Sequence, residues 1–170
     1  MSAASVGDLP LDAGVFRRAM GRFATGVTVV TTLHAGIDHA MTANAFTSVS
    51  LEPALVLVCV EREARFHDAI EASGLWSVNV LDDSARAVAA WLATRGRPLH
   101  GQLDRVPHHR GQHTGTALLD QSLATLECRT TDLHAGGDHS IVVGEVLAVG
   151  LVEHDAAALV YYRGAYGRLA

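Results

Sequence analysis

Hydrophobic positions in this chain mostly recur with period two, and only a few short stretches recur with the period of a helix. Residues Met1–Pro10 read as a flexible N-terminal arm, leaving 11–170 as a single domain. Phe16, Ala19, Met20 and Phe23 then fall at i, i+3, i+4 and i+7, with Asp12 as N-cap and Gly26 as the stop. Val27–Leu33 reads VTVVTTL, a β-branched strand that turns across Gly36 and resumes over His39–Thr42 as a hairpin. Asn44–Pro53 is a polar, hydroxyl-rich connection to Ala54–Val60, a continuous apolar run typical of a strand buried on both faces.

The pattern predicts a short helix over Ala64–Ala72, ended by Gly74, and then a strand in which Trp76, Val78 and Val80 alternate with Ser77 and Asn79. Asp82 or Asp83 caps a helix with Ala85, Val88, Ala89 and Leu92 on one face. Arg95–Gly115 is a long loop rich in Gly, Arg and His, the kind that serves as a functional flap. Two long strands follow, Ala124–Leu133 and Ser140–Val152, joined across Ala135–Gly137, and a last strand spans Ala158–Arg163. Antiparallel strands with few helices predict a closed, mainly β barrel.

Composition narrows the chemistry. At 170 residues, 49% hydrophobic and 18% charged, the chain carries enough apolar surface for a sizeable core. A net charge of −5 argues against nucleic-acid binding. No stretch reads as a signal peptide or a membrane span, since the apolar run at Ile141–Val152 is short and broken by Glu145. The two cysteines, Cys59 and Cys128, lie far apart in apolar surroundings, which fits a reduced, cytoplasmic protein. All 13 basic residues are arginine, so Schiff-base chemistry and a lysine-dependent phosphate loop are both excluded. No G-x-G-x-x-G follows a strand, so a Rossmann dinucleotide site is not indicated.

Three segments carry candidate chemistry. Thr42–Pro53 crowds hydroxyls, an amide and backbone N–H groups that suit the edge of a planar heterocycle and an attached phosphate; the plain alternative is a loop bonded to its own backbone. Gly137-Asp138-His139 sets a histidine at the start of a strand, ready to meet a ligand or relay a proton, or else a turn histidine fixed by Asp138. Tyr161–Tyr166 combines arginine, glycine and tyrosine, for phosphate or aromatic contact or for ordinary packing. His100, His108, His109 and His113 share one loop, but without a metal-binding spacing no metal is expected. G-x-S-x-G is lacking, so a serine hydrolase is weakly supported.

Taken in order, Phe16–Val27 (FRRAMGRFATGV), Met41–Pro53 (MTANAFTSVSLEP), Ser77–Leu81 (SVNVL), Gly137-Asp138-His139 with Gly144-Glu145-Val146, and Arg163-Gly164-Ala165-Tyr166 resemble the flavin reductase family of two-component monooxygenases. The resemblance implies a six-stranded antiparallel split β-barrel with a few flanking helices, and a homodimer. It implies flavin contacts, to FAD or FMN, from Thr42, Ala43, Asn44 and Ala45, from Ser48, Val49 and Ser50, and from Glu61, Arg65 and Phe66. His139 matches the family's histidine and would seat the nicotinamide of NADH as the catalytic position; Arg163, Gly164, Ala165 and Tyr166 would border the same pocket. The implied activity is NADH-driven flavin reduction that supplies a partner monooxygenase. An FMN-dependent oxidase or a non-catalytic flavin-binding module is the alternative. The chain departs from the family pattern at Ala45, where serine is common, at Arg65, where a small hydroxyl residue is common, and at Leu99-His100, where a basic-aromatic pair is common.

Overall fold

A computed structural model describes residues 11–152 and 156–169; the arm expected over Met1–Pro10 lies outside the described residues. Its elements, in chain order, are α1 (Ala13–Met20), β1 (Thr25–Gly26), β2 (Thr28–His34), β3 (Ile37–Ala43), β4 (Phe46–Leu51), β5 (Ala54–Glu61), α2 (Arg65–Ser73) and β6 (Leu75–Leu81). A 3-10 turn at Asp83–Ala85 then leads into α3 (Arg86–Ala93), β7 (His108–Arg110), β8 (Ala117–Leu119), β9 (Ser122–Gly136), β10 (His139–Leu151), β11 (Leu159–Tyr162) and β12 (Ala165–Arg168). The chain is mainly β, with three short α-helices among the described residues.

The main sheet is antiparallel and runs β3-β2-β6-β9-β10-β5-β4, seven strands rather than the six expected. The unexpected strand is β4. Its sequence, FTSVSL, is hydroxyl-rich, and Val49 and Leu51 stay exposed while only Phe46 packs on the core; it pairs with β5 at the sheet's edge, where one ladder and solvent satisfy the backbone. The two edge strands, β3 and β4, are consecutive in the chain, joined only by Asn44 and Ala45.

Alternation in β2 explains why both faces of the sheet are covered. Val29 and Val30 point to opposite sides and belong to different hydrophobic clusters. One cluster packs Val29, Leu81, Ala85, Ala89 and Leu92 under α3. The other packs Val30, Val58, Trp76, Val78 and Val142 with Phe66 and Ile70 of α2. No helix among the described residues is long and apolar enough to cross a membrane.

Local signals explain the helix ends. Asp12 accepts from Val15 N at 2.9 Å, as an N-cap should, while α1 stops at Gly21 rather than Gly26 because Thr25–Gly26 pairs with β11. Gly74 closes α2 in the left-handed conformation at φ 66°. Arg95–Gly115 is not structureless as expected. It buries Leu103 and Val106, and its distal part carries β7, which pairs with β8 just beyond the stretch to form a two-stranded ribbon. Glu127 on β9 holds that ribbon's turn, accepting from Thr114 Oγ1 at 2.8 Å, Thr114 N at 2.7 Å and His113 N at 2.9 Å. Burial pushes the Glu127 carboxyl up, but these donors outweigh it and hold its pKa below the ordinary value.

Candidate active site

A cavity of about 450 Å³ opens beside β3, within the range of small-molecule sites. Four separated stretches wall it: His39–Ala45, Cys59–Phe66 in part, Leu92–Arg97 with Gln102, and His139 at the head of β10. Two hydrogen bonds seat the third stretch against β3. Thr42 Oγ1 donates to the Ala89 carbonyl of α3 at 2.7 Å, and Arg97 Nη2 donates to the Ala40 carbonyl at 2.9 Å. His139 stands opposite Glu61 in the β10–β5 ladder, and Arg62 N donates to the Asp138 carbonyl at 3.0 Å, so the turn before β10 is held to the end of β5.

Of the residues singled out in the sequence, Thr42, Ala43, Asn44, Ala45, Glu61, Arg65, Phe66 and His139 line this cavity. Ala45 also fixes the wall, its carbonyl accepting from Cys59 N at 3.0 Å. Ser48, Val49 and Ser50 do not line it. They lie on β4, with a register shift between Ser48 and Ser50. Arg163, Gly164, Ala165 and Tyr166 do not line it either, because the β11–β12 hairpin pairs with β1 in a separate three-stranded sheet. There Arg163 N donates to the Gly21 carbonyl at 2.9 Å, its guanidinium sits 5.1 Å from the Tyr162 ring centre, and Tyr166 packs edge-on against Tyr161.

The match along most of the chain decides the family, because residues 20–170 fit the one described as flavin reductase like domain. The chain belongs to the flavin reductase family. A curated relative, the NADH-dependent FAD reductase of Streptomyces globisporus, is 42% identical over 139 residues, covering 81% of this chain and 76% of the relative. The reductase subunit HsaB of a flavin-dependent monooxygenase from Mycobacterium tuberculosis is 35% identical over 157 residues, covering 92% and 82%. Among solved structures, BorF, the flavin reductase component of a bacterial two-component tryptophan halogenase, superimposes with a TM-score of 0.87 at 43% identity, covering 93% of this chain and 98% of BorF.

Several cavity residues of this flavin reductase family member escape sequence reasoning: His39, Cys59, Arg95, Arg97 and Gln102. Arg95 and Arg97 were visible only as part of an arginine-rich loop, and no sequence spacing ties that loop to β3. Glu61 is engaged by Arg95, whose Nη2 reaches both carboxylate oxygens at 2.7 and 2.8 Å. Burial pushes the Cys59 thiol up, which keeps it protonated and unreactive near neutral pH. Among the described residues the loop histidines gather into no metal-ligating group. His108 Nδ1 bonds the Val106 carbonyl at 2.7 Å and His109 Nδ1 bonds Asp120 at 3.1 Å.

His39 is the buried titratable group of the cavity wall. Burial, then His34 and Arg65, push its pKa below the ordinary value of 6.5, against a weaker opposing pull from Asp38. The unfolded chain therefore takes up this proton at a higher pH than the folded one, so stability falls as pH drops below 6.5. Denaturant midpoints measured between pH 7 and pH 5 are expected to fall more steeply for the wild type than for His39→Gln. Parallel profiles would reject the assignment.

Proposed function

We propose that this protein is an NADH-dependent flavin reductase, moving a hydride from NADH to FAD or FMN and releasing reduced flavin to a partner monooxygenase. The observation that carries the reading is the convergence of Thr42, Ala43, Asn44 and His139, distant in sequence and matched to the family motifs, on one cavity. The family membership and the relatives named for NADH-dependent reduction of FAD support the same reaction.

The lining suits a flavin. Met41, Ala43 and Phe66 offer apolar contact, and Asn44 and Thr42 offer hydrogen bonds. Flavin, when bound, supplies the hydride-accepting ring, and the chain itself needs no nucleophile. Thr42–Ala45 with Phe66 would hold the ring, and His139 would orient the nicotinamide. The protein's contribution is alignment of two reactants and exclusion of water. Ser48–Ser50 and Arg163–Tyr166 keep a role in this reading only through a second subunit.

A second subunit is supported by α1, in which no residue is buried. Val15, Phe16, Met20 and the following Phe23 are all exposed, the last at 69%, forming an apolar face too large for one short helix to leave in water. We read the molecule as a cytoplasmic homodimer and its seven-stranded sheet as a split barrel. The double variant Phe16→Asp with Phe23→Asp is expected to sediment as a monomer where the wild type sediments as a dimer. A monomeric wild type at micromolar concentration would overturn the dimer.

Steady-state NADH oxidation with FMN, FAD and riboflavin, side by side, tests the function. Turnover with added flavin is expected. Flavin binding without NADH oxidation would make the protein a binding module instead.

A further inference from the structure

Consecutive side chains of a strand point to opposite faces. At the start of β10, His139 faces the cavity, while Ser140 and Val142 are buried on the other face. Helix α2 packs against that buried face, its Phe66 and Ile70 sharing one hydrophobic cluster with Val142. Between them in sequence stands His67, itself buried, whose Nε2 hydrogen-bonds with Ser140 Oγ at 2.8 Å across 73 positions of the chain. The other ring nitrogen, Nδ1, lies 3.5 Å from Asp68 and 3.9 Å from Glu71 and has no hydrogen-bond partner. The link to Ser140 is therefore the one hydrogen bond of this imidazole among the described residues. Neither His67 nor Ser140 lines the cavity.

What precedes His139 gives it little support. Residues 131–138, the end of the β9–β10 hairpin, are exposed throughout, and the turn runs through Gly136 and Gly137. Glycine loses more conformational freedom on ordering than any other residue. Asp138, which holds the His139 ring through the 2.7 Å bond to Nδ1, stands on that turn with an exposed side chain. It fixes the ring relative to a segment that has no core beneath it. Besides the strand ladders, Arg62 N donates to the Asp138 carbonyl at 3.0 Å, a backbone bond that side-chain changes leave in place. The His67–Ser140 bond differs. It joins the first buried residue of β10 to a helix already packed on the core, and it depends on two side chains. Reacting groups misplaced by about 1 Å can lose a large part of their rate, so a bond of this kind bears on the chemistry next door.

We propose that His67 is a positioning residue for NADH-dependent flavin reduction: through Ser140 it fixes the start of β10, and with it the imidazole of His139 at the cavity mouth. The proposal rests on the reading in which His139 orients the nicotinamide, and adds the side chain that holds His139 in place from behind the strand. His67 acts through the strand alone, since it reaches neither the cavity nor anything bound there.

Single-turnover reduction of bound flavin by NADH tests it, with flavin affinity and melting temperature measured on the same preparations. His67→Phe keeps the bulk of the ring and removes both nitrogens. It is expected to slow hydride transfer about three- to ten-fold, the worth of one buried hydrogen bond, with flavin affinity unchanged. Ser140→Ala should lose as much, and the double variant no more than either single, because both remove the same bond. Wild-type transfer rates in the two single variants overturn the proposal, however far their melting temperatures fall. So do losses that add in the double variant, or a parallel fall in flavin affinity. If His67→Phe fails to fold, Ser140 decides the matter. Transfer slowed in Ser140→Ala and restored in Ser140→Thr supports the proposal; a wild-type rate in Ser140→Ala, or a rate that Ser140→Thr leaves as slow, overturns it. His139→Ala separates the two levels. Slow transfer there, beside wild-type rates in the His67 and Ser140 variants, rejects the positioning role alone. A wild-type rate in His139→Ala removes the nicotinamide reading and the positioning role with it.

Discussion

Gly144→Ala is expected to destabilise the fold by about 2–3 kcal/mol through overpacking, lowering the melting temperature by about 4–12 °C in a domain of this size. Gly144 lies on β10, and a Cβ there would stand 2.5 Å from Trp76 Cζ2, 3.0 Å from Cε2 and 3.3 Å from the Arg129 carbonyl. The indole cannot move away cheaply. Trp76 is wholly buried among Val30, Val58, Val78 and Val142, and its Nε1 donates to Thr130 Oγ1 at 3.1 Å, on the residue paired with Gly144. Gly167→Ala is the control, since a Cβ there meets nothing within 4 Å and its backbone is ordinary. A double-mutant cycle isolates the contact. Trp76→Phe should itself destabilise, but combined with Gly144→Ala the loss should be smaller than the sum. Additive losses would show that the two positions do not clash.

The β-strands facing a core were legible because burial imposes period two or an unbroken apolar run. Val29 and Val30, and Trp76 and Val78, declare their environment through neighbours two residues away, whereas Ala54–Val60, expected to be buried on both faces, buries only Val56, Val58 and Val60 and leaves Leu55, Leu57 and Cys59 half-buried. β4 was illegible for the complementary reason. Val49 and Leu51 do alternate with Ser48 and Ser50, but both apolar residues are exposed, so at this edge one backbone ladder, with only Phe46 against the core, holds a segment whose hydroxyls read as a loop. The β7–β8 ribbon was missed because its order comes from Glu127, thirteen residues beyond Thr114, through bonds to backbone N–H groups that any sequence carries.

The same division holds in the cavity. Thr42–Ala45 and His139 were visible as family motifs, and the fold brings them together. Arg97 was not, because it is held at the cavity wall by the Ala40 carbonyl, 57 positions away. Arg163–Tyr166 matched the motif as well as any segment, yet one chain sets them in another sheet. Motif matching identifies which residues a family keeps. Only the fold, and in this reading the second subunit, decides which of them share a pocket.

His139→Ala is expected to slow NADH-dependent flavin reduction by one to two orders of magnitude, about 1.4–2.7 kcal/mol of barrier, while flavin affinity changes little. Gly137, at φ 73°, turns the chain tightly and delivers His139 to the first position of β10, at the mouth of the cavity. Asp138 fixes the ring through a 2.7 Å bond to Nδ1, which leaves Nε2 as the nitrogen free to meet a ligand. That bond to His139 is also the main reason the Asp138 pKa lies below its ordinary value. Asp138→Asn keeps the shape and removes the charge, so it should reduce NADH turnover less than His139→Ala and in the same direction. The alternative is a histidine that only closes the turn. It predicts a lower melting temperature for His139→Ala with unchanged kinetics per folded molecule, because the cavity's other walls would still align both substrates. Melting temperature, flavin affinity and NADH kinetics measured on one preparation separate the two outcomes. Wild-type kinetics at reduced stability would remove His139 from the site.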